Sequence, residues 1–178
     1  MREVLTYQLS DATKVTLRPA RPDDAAAIIA AVRSSSAERS YVLMEIYGKD
    51  ETAQREYIAG LDRTRNLFLV ASVHDTIVGI LAVLDMHLCL AAVPTVAVGV
   101  HLVQEWRGRG IGSALLRYAV RWAKAHGFER MEADIFTANK RSLRIFDKAG
   151  FREEVCKQRR VQVGTQQINE VILVKTLG

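Results

Sequence analysis

The spacing of hydrophobic positions along this chain changes several times, and each change marks an element. Val15-Thr16-Leu17-Arg18 alternates like a half-buried strand, and Leu5 to Leu9 alternates in the same way just before it. From Ala25 the period becomes helical. Ala25, Ile28, Ile29 and Val32 share one side, Pro22 and Asp23 open the helix, and Asp23 is its expected N-cap. Ser34 to Lys49 has no clean period. Asp50 then caps a second predicted helix, on which Tyr57, Ile58 and Leu61 fall together.

Two apolar runs, Leu67 to Val73 and Ile77 to Leu84, read as strands of a hairpin turning at His74-Asp75-Thr76. Thr95 to Val103 reads as the next strand. Val96, Val98, Val100 and Leu102 line one face of it, and Thr95, Ala97, Gly99, His101 and Val103 line the other. Gly99 predicts a bulge or a close backbone approach there. The strongest helix spans Gly110 to His126. Ile111, Leu115, Tyr118, Ala119 and Trp122 form its apolar face, Arg117, Arg121 and Lys124 lie opposite, and Gly127 ends it. Arg130 to Phe136 (a strand), Asn139 to Ala149 (a helix closed by Gly150) and two late strands, Phe151 to Val163 and Gln167 to Leu177, complete the chain. Hairpins surrounding one strand–helix–strand crossover predict an α/β (α+β) architecture. It has a mixed, mostly antiparallel sheet of six to seven strands, with helices on both faces.

Composition adds limits. The 178 residues suit a single domain, 1–178, with no repeat or linker. Such a domain buries enough surface to fold without a disulfide or metal, and no metal is expected. The two cysteines, Cys89 and Cys156, sit among apolar neighbours and are expected to be core thiols in a reducing compartment. The start lacks the apolar stretch of a signal peptide, and the long apolar region Ile77 to Val103 is broken by Asp85, His87 and Pro94. A soluble, cytoplasmic protein without membrane attachment is the expectation. A net charge of +5 is too mild to demand nucleic acid but suits a small polyanionic ligand.

The chemistry concentrates in Leu102-Val103-Gln104-Glu105-Trp106-Arg107-Gly108-Arg109-Gly110-Ile111-Gly112, where a strand ends and a helix begins. The first amides of a helix lack intrahelical acceptors, and the helix dipole puts partial positive charge there. Glycines clear side chains away from those amides, and Arg107 and Arg109 add formal charge. The combination predicts a phosphate site. The spacing is neither the dinucleotide fingerprint nor a P-loop, and a glycine-rich turn with exposed arginines would have the same letters.

Arg107, Gly110 and Gly112, with Trp106 before them and Ser113-Ala114-Leu115-Leu116 after, resemble the Arg/Gln-x-x-Gly-x-Gly/Ala signature of the GNAT superfamily of N-acetyltransferases. A second segment, Asn139 to Phe151 with Ser142, Phe146, Lys148 and Gly150, is similar to that superfamily's next helix, and Leu17-Arg18-Pro19-Ala20 with Asp23-Asp24-Ala25 resembles its first strand and helix. The resemblance implies a GNAT-like sheet and direct transfer of an acetyl group from acetyl-CoA, the cosubstrate, to an amine. It implies that the backbone from Arg107 through Gly108, Arg109, Gly110, Ile111, Gly112 and Ser113 holds the pyrophosphate. Leu102 and Val103 would pair with the pantetheine arm, and Asn139, Ser142 and Phe146 would lie along the cofactor. A homodimer joined through the late strands is a further expectation of this kind.

Two catalytic roles are not supplied by the resemblance. Phe146 stands where relatives commonly have a tyrosine taken as the acid for the leaving thiolate, and phenylalanine donates no proton; water, Tyr118 or Tyr41 are the alternatives. The strand before the loop carries no glutamate, so His101, with an ordinary pKa near 6.5, and Asp85 are the candidate bases. Glu38, Glu45, Asp134 and an ordered water chain stand behind them. Glu38, Tyr41 and Glu45 mix aromatic and acidic character suited to an ammonium acceptor, which would be a small-molecule or peptide amine. A sensor that binds acetyl-CoA without turnover is the rival reading. A nucleic-acid binder using Arg107, Arg109, Arg117, Arg121 and Lys124 lacks any accompanying recognition motif.

Overall fold

A computed structural model describes residues 4–36, 50–86, 93–163 and 166–178. Glu38, Tyr41, Glu45, His87 and Cys89 lie outside the described residues. Among the described residues eight strands form one sheet: β1 (Leu5–Gln8), β2 (Lys14–Pro19), β3 (Leu67–Val73), β4 (Thr76–Asp85), β5 (Thr95–Leu102), β6 (Arg130–Phe136), β7 (Arg152–Val163) and β8 (Gln166–Thr176). Their spatial order is β1-β2-β3-β4-β5-β6-β8-β7. Every pairing is antiparallel except β5 with β6, the two strands joined by the crossover helix. The expected mixed, mostly antiparallel architecture is present, with one strand more than six or seven. The first of the strands is β1, the strand expected near Leu5 to Leu9, whose Leu5 and Tyr7 pack on the core opposite Leu17 and Val15.

Among the described residues four α-helices cover the sheet: α1 (Ala25–Ser36), α2 (Glu51–Ala59), α3 (Ile111–Ala125) and α4 (Lys140–Lys148). The α3 face read from its period is the face that is buried. Ile111, Leu115 and Ala119 are 0% exposed, Trp122 1% and Tyr118 2%. Each large side chain so buried contributes about 1.5–3 kcal/mol, which ties α3 to the sheet. It packs with Leu69, Leu81, Val83, Val96 and Val98 on one face, while Ile28, Val32 and Ile58 of α1 and α2 pack with Phe68, Val70 and Ile80 on the other. Because β5 alternates, its valines belong to the first core, and Val103, just past its end, to the second.

Three local expectations are corrected. Asp23 is not the N-terminal cap; Arg21 holds the N-cap position, and Asp24, the third residue of the turn, reaches back to it. Pro22–Asp24 form a 3-10 turn, and the Asp24 carboxylate accepts the Arg21 amide at 2.7 Å, whereas Asp23 reaches across to an ion pair with Arg55. Gly99 sits in regular register opposite Ala82, and a Cβ there would meet nothing within 4 Å; it is an open position, not a bulge. Cys156 is exposed on β7 and is not a core thiol.

Candidate functional site

The site follows from a strand that loses one neighbour. β4 pairs with β5 along its whole length, from Asp85↔Val96 to Gly79↔Leu102. β6 pairs with β5 only at Thr95↔Arg130, Val96↔Met131 and Ala97↔Glu132. Beyond Ala97 the two parallel strands diverge, and β6 continues alongside β8. The edge of β5 from Val98 to Leu102 therefore faces a wedge with backbone groups that no described strand pairs. Such an edge takes an extended ligand carrying amides. A cleft of about 380 Å³ opens there, lined by Val100, His101, Leu102 and Arg107 on one side and by Ala138 to Ser142 and Ile145 on the other.

The loop after β5 closes one end of the cleft. Gln104–Trp106 make a 3-10 turn, and Arg107 folds back so that its Nε donates to the Leu102 carbonyl at 2.9 Å. Gly108 and Gly110 have φ of +79° and +85°, and a Cβ on either would meet no atom within 4 Å. These are left-handed positions facing open space, which is what a bulky anion approaching the backbone requires. The Ala114 amide donates to the Gly110 carbonyl at 3.0 Å, so the amides of Ile111, Gly112 and Ser113 precede the first intrahelical bond. Gly112 has a different task. A Cβ there would lie 3.3 Å from Leu102 Cδ1 and 3.4 Å from Ile145 Cδ1, so its bare backbone lets α3 close against both β5 and α4. Ile111 is wholly buried. Arg109 lies with its guanidinium 4.8 Å from the Trp106 ring centre and pairs with Asp11 of the β1–β2 turn at 3.1 Å.

Asn139 caps α4, its Oδ1 accepting the Ser142 amide at 3.1 Å, and both residues line the cleft. Phe146 does not. It is 2% exposed and packs edge-on against Phe151 at 5.0 Å. Its expected place along the cofactor is corrected to a place in the core, because the apolar face of a short helix is the face that the sheet buries. Tyr118 is equally removed, 2% exposed and lining a different cleft. Arg144 and Lys148 of α4 are exposed and outside the lining, whereas Lys140 and Arg141 are in it. Sequence reasoning missed those two cations. Positive residues in a helix's first turn oppose its dipole, and that misfit was the signal available in the sequence.

The two candidate bases lie on opposite faces of the sheet. His101 pairs with Ile80, on the α1 side, and its Nε2 sits 3.2 Å from the Ala31 carbonyl of α1. A carbonyl only accepts, so Nε2 carries the hydrogen. Asp85 follows Val83 in the alternation, on the α3 side, and lies at the far end of β5 from Leu102, opposite Val96. Its carboxylate is ion-paired with Arg65, and its amide is held by Asn66 Oδ1 at 3.0 Å. It is absent from the cleft lining and has a structural partner, which corrects its candidacy. Asp134 is exposed, 3.7 Å from Lys157 Nζ. Among the described residues no helix is long and apolar enough to cross a membrane.

Residues 31–151 match the profile of the Acetyltransferase (GNAT) family. A protein of Bacillus subtilis (strain 168) provisionally named phosphinothricin acetyltransferase YwnH is 30% identical over 139 residues, 78% of this chain and 85% of the relative. A crystal structure provisionally named phosphinothricin N-acetyltransferase superposes with a TM-score of 0.79 at 27% identity, over 92% of this chain and 99% of that one. YncA of Salmonella typhimurium, a provisionally named acetyltransferase solved with its cofactor acetyl-CoA, superposes with a TM-score of 0.82 at 19% identity, over 92% and 94%.

Proposed function

This chain belongs to the GNAT family of acetyltransferases, and on that premise we propose that it transfers an acetyl group from acetyl-CoA directly to a primary amine of a small molecule or peptide. The observation that carries the reading is the divergence of β5 from β6 directly beside a loop whose glycines face open space. The residues present fit the cosubstrate. The amides of Ile111, Gly112 and Ser113 take the diphosphate, with Lys140 and Arg141 supplying charge across the cleft. The unpaired edge of β5 takes the pantetheine amides, and Asn139 and Ser142 close the opposite wall. Acetyl-CoA supplies an activated thioester.

His101 is the residue assigned to the acceptor's proton. With Nε2 donating to Ala31, the neutral ring carries its basic lone pair on Nδ1. Its strand position beside the wedge puts the ring on the α1 side of the sheet, opposite the face on which α3 and α4 pack. His101→Asn is expected to lower kcat/KM by about 100-fold at neutral pH and to remove the acidic limb of the pH–rate profile. A variant with the wild-type profile would eliminate His101 as the base. Phe146 supplies no proton, so the departing thiolate takes one from solvent.

The acceptor class is tested by offering acetyl-CoA with a panel of amines, phosphinothricin and short peptides among them, and following free thiol together with the acetylated product. Thiol release matched by N-acetylated product from at least one amine is expected. Tight acetyl-CoA binding with no turnover across the panel would contradict the proposal.

A further inference from the structure

A second cleft, of about 280 Å³, lies between the β1–β2 hairpin and α3. It is lined by Leu5, Tyr7 and Leu17 from the strands and by Ala114, Arg117, Tyr118 and Arg121 from the helix, with Thr6 at its edge. Ala114, Arg117, Tyr118 and Arg121 follow the spacing of one helix face. α4 packs with Gly112 and Leu102 beside the first cleft, and no residue lines both clefts. The floor is apolar, and no acidic side chain lines it.

Two features of this cleft lack a balancing group. The Tyr7 hydroxyl is fully shielded and has no hydrogen-bond partner among the described residues, an arrangement that native structures avoid because a buried polar group loses its water without replacement. Arg117 and Arg121 sit one turn apart on α3, both exposed, and neither forms an ion pair among the described residues. Like charges at that spacing repel and weaken the helix. Arg121 lies 5.9 Å from the Tyr118 ring centre, leaning over the cleft wall. Burial pushes the Tyr7 phenol up, against a smaller opposing pull from the Arg117 charge, so the hydroxyl keeps its proton as a donor and the guanidinium is close enough to be felt.

One group would satisfy the hydroxyl and both arginines at once. We infer that the cleft between the β1–β2 hairpin and α3 binds a small multivalent oxyanion, phosphate or a compact polycarboxylate, held by Arg117, Arg121 and the Tyr7 hydroxyl. The oxyanion accepts from both guanidiniums at the rim, as charge-assisted bonds of the stronger kind, and its entry requires the side chains that shield the phenol to part so that the hydroxyl can donate to it. The site is separate from the cleft that takes acetyl-CoA and requires nothing of the acceptor proposal. It also touches the loop indirectly. The β1–β2 turn is tied to the loop by the Asp11–Arg109 pair, and the anion would fasten the same hairpin to the same helix.

The experiment is calorimetric titration of the intact protein with inorganic phosphate and, in a second arm, with citrate, each repeated with saturating acetyl-CoA. Saturable binding of at least one anion, unchanged by acetyl-CoA, is expected, and the tighter of the two identifies the source. Arg117→Gln with Arg121→Gln should weaken that binding by about 100-fold, roughly tenfold for each charge-assisted bond removed. Both positions are exposed, so folding is retained. Tyr7→Phe separates the site from a general charge effect. It should weaken the anion while raising Tm by about 2–4 °C in anion-free buffer, because an unpaired hydroxyl has been removed. No saturable binding of either anion, displacement by acetyl-CoA, wild-type affinity in the double variant, or a lower Tm in Tyr7→Phe would each overturn the inference.

Discussion

Gly110→Asp is expected to weaken acetyl-CoA binding by about 100-fold or more while leaving the protein folded. The two halves of that expectation have separate grounds. Gly110 holds φ of +85°, and a Cβ there meets nothing within 4 Å, so the substitution meets no packing and costs only the left-handed backbone, about 1 kcal/mol and less for Asp than for most residues. The carboxylate would project into the space assigned to the diphosphate. Two unit charges 4 Å apart repel by about 4 kcal/mol at the effective dielectric near a protein surface, well beyond the roughly 2.7 kcal/mol that 100-fold represents. Gly110→Asn is the control, having the same shape and backbone tolerance without the charge. Calorimetry on both variants should find Asn within about tenfold of wild type and Asp far weaker. Equal weakening by both would assign the effect to the backbone, and wild-type affinity in a folded Asp variant would contradict the loop assignment.

Asp24→Asn is expected to lower stability by about 2–3 kcal/mol at neutral pH. Arg18 of β2 meets the Asp24 carboxylate through two nitrogens at 2.7 and 2.8 Å, with side-chain exposures of 19% and 12%. The same carboxylate accepts the Arg21 amide. Removing one partner leaves the guanidinium shielded without its counter-charge, so the loss exceeds that of a surface pair. Burial raises the Asp24 pKa, but the Arg18 hydrogen bonds and charge and the Arg21 amide outweigh it, and the net direction is below the ordinary carboxylate value. A depressed folded-state pKa places this stabilisation in full above the unfolded value of about 4 and removes it as pH falls through the folded value. The gap in unfolding free energy between wild type and Asp24→Asn should therefore shrink on acidification. A gap that is constant with pH would show that the carboxylate charge is not its source. Because the pair fastens the start of α1 to β2, and α1 carries the Ala31 carbonyl that meets His101, loosening it should also reduce turnover.

What was readable in the sequence was whatever local periodicity and helix-end chemistry determine. The α3 face, the alternation of β5 and the loop between them follow from spacings of a few residues, and the structure reproduces them. The departures are tertiary. Asp23 and Asp24 are equivalent as letters, and only the approach of Arg18 from β2 and Arg55 from α2 separates them, Asp24 turning to Arg18 and the Arg21 amide and Asp23 to Arg55. Asp85 and His101 both belong to the β4–β5 ladder, but strand alternation sends their side chains to opposite faces. Phe146 has the motif position of a cofactor contact and the burial of a core residue. The wedge itself cannot be read from the apolar pattern of Thr95 to Val103. It arises where β6 leaves β5 to stay with β8, a choice made by residues far along the chain.

The most direct measurement of the central claim is a crystal structure of the protein with acetyl-CoA. The diphosphate should lie on the amides of Ile111, Gly112 and Ser113, above the open faces of Gly108 and Gly110, with the pantetheine arm paired to the edge of β5 between Val98 and Leu102 and the thioester inside the wedge. A diphosphate bound away from that loop, or a thioester outside the divergence of β5 and β6, would contradict it.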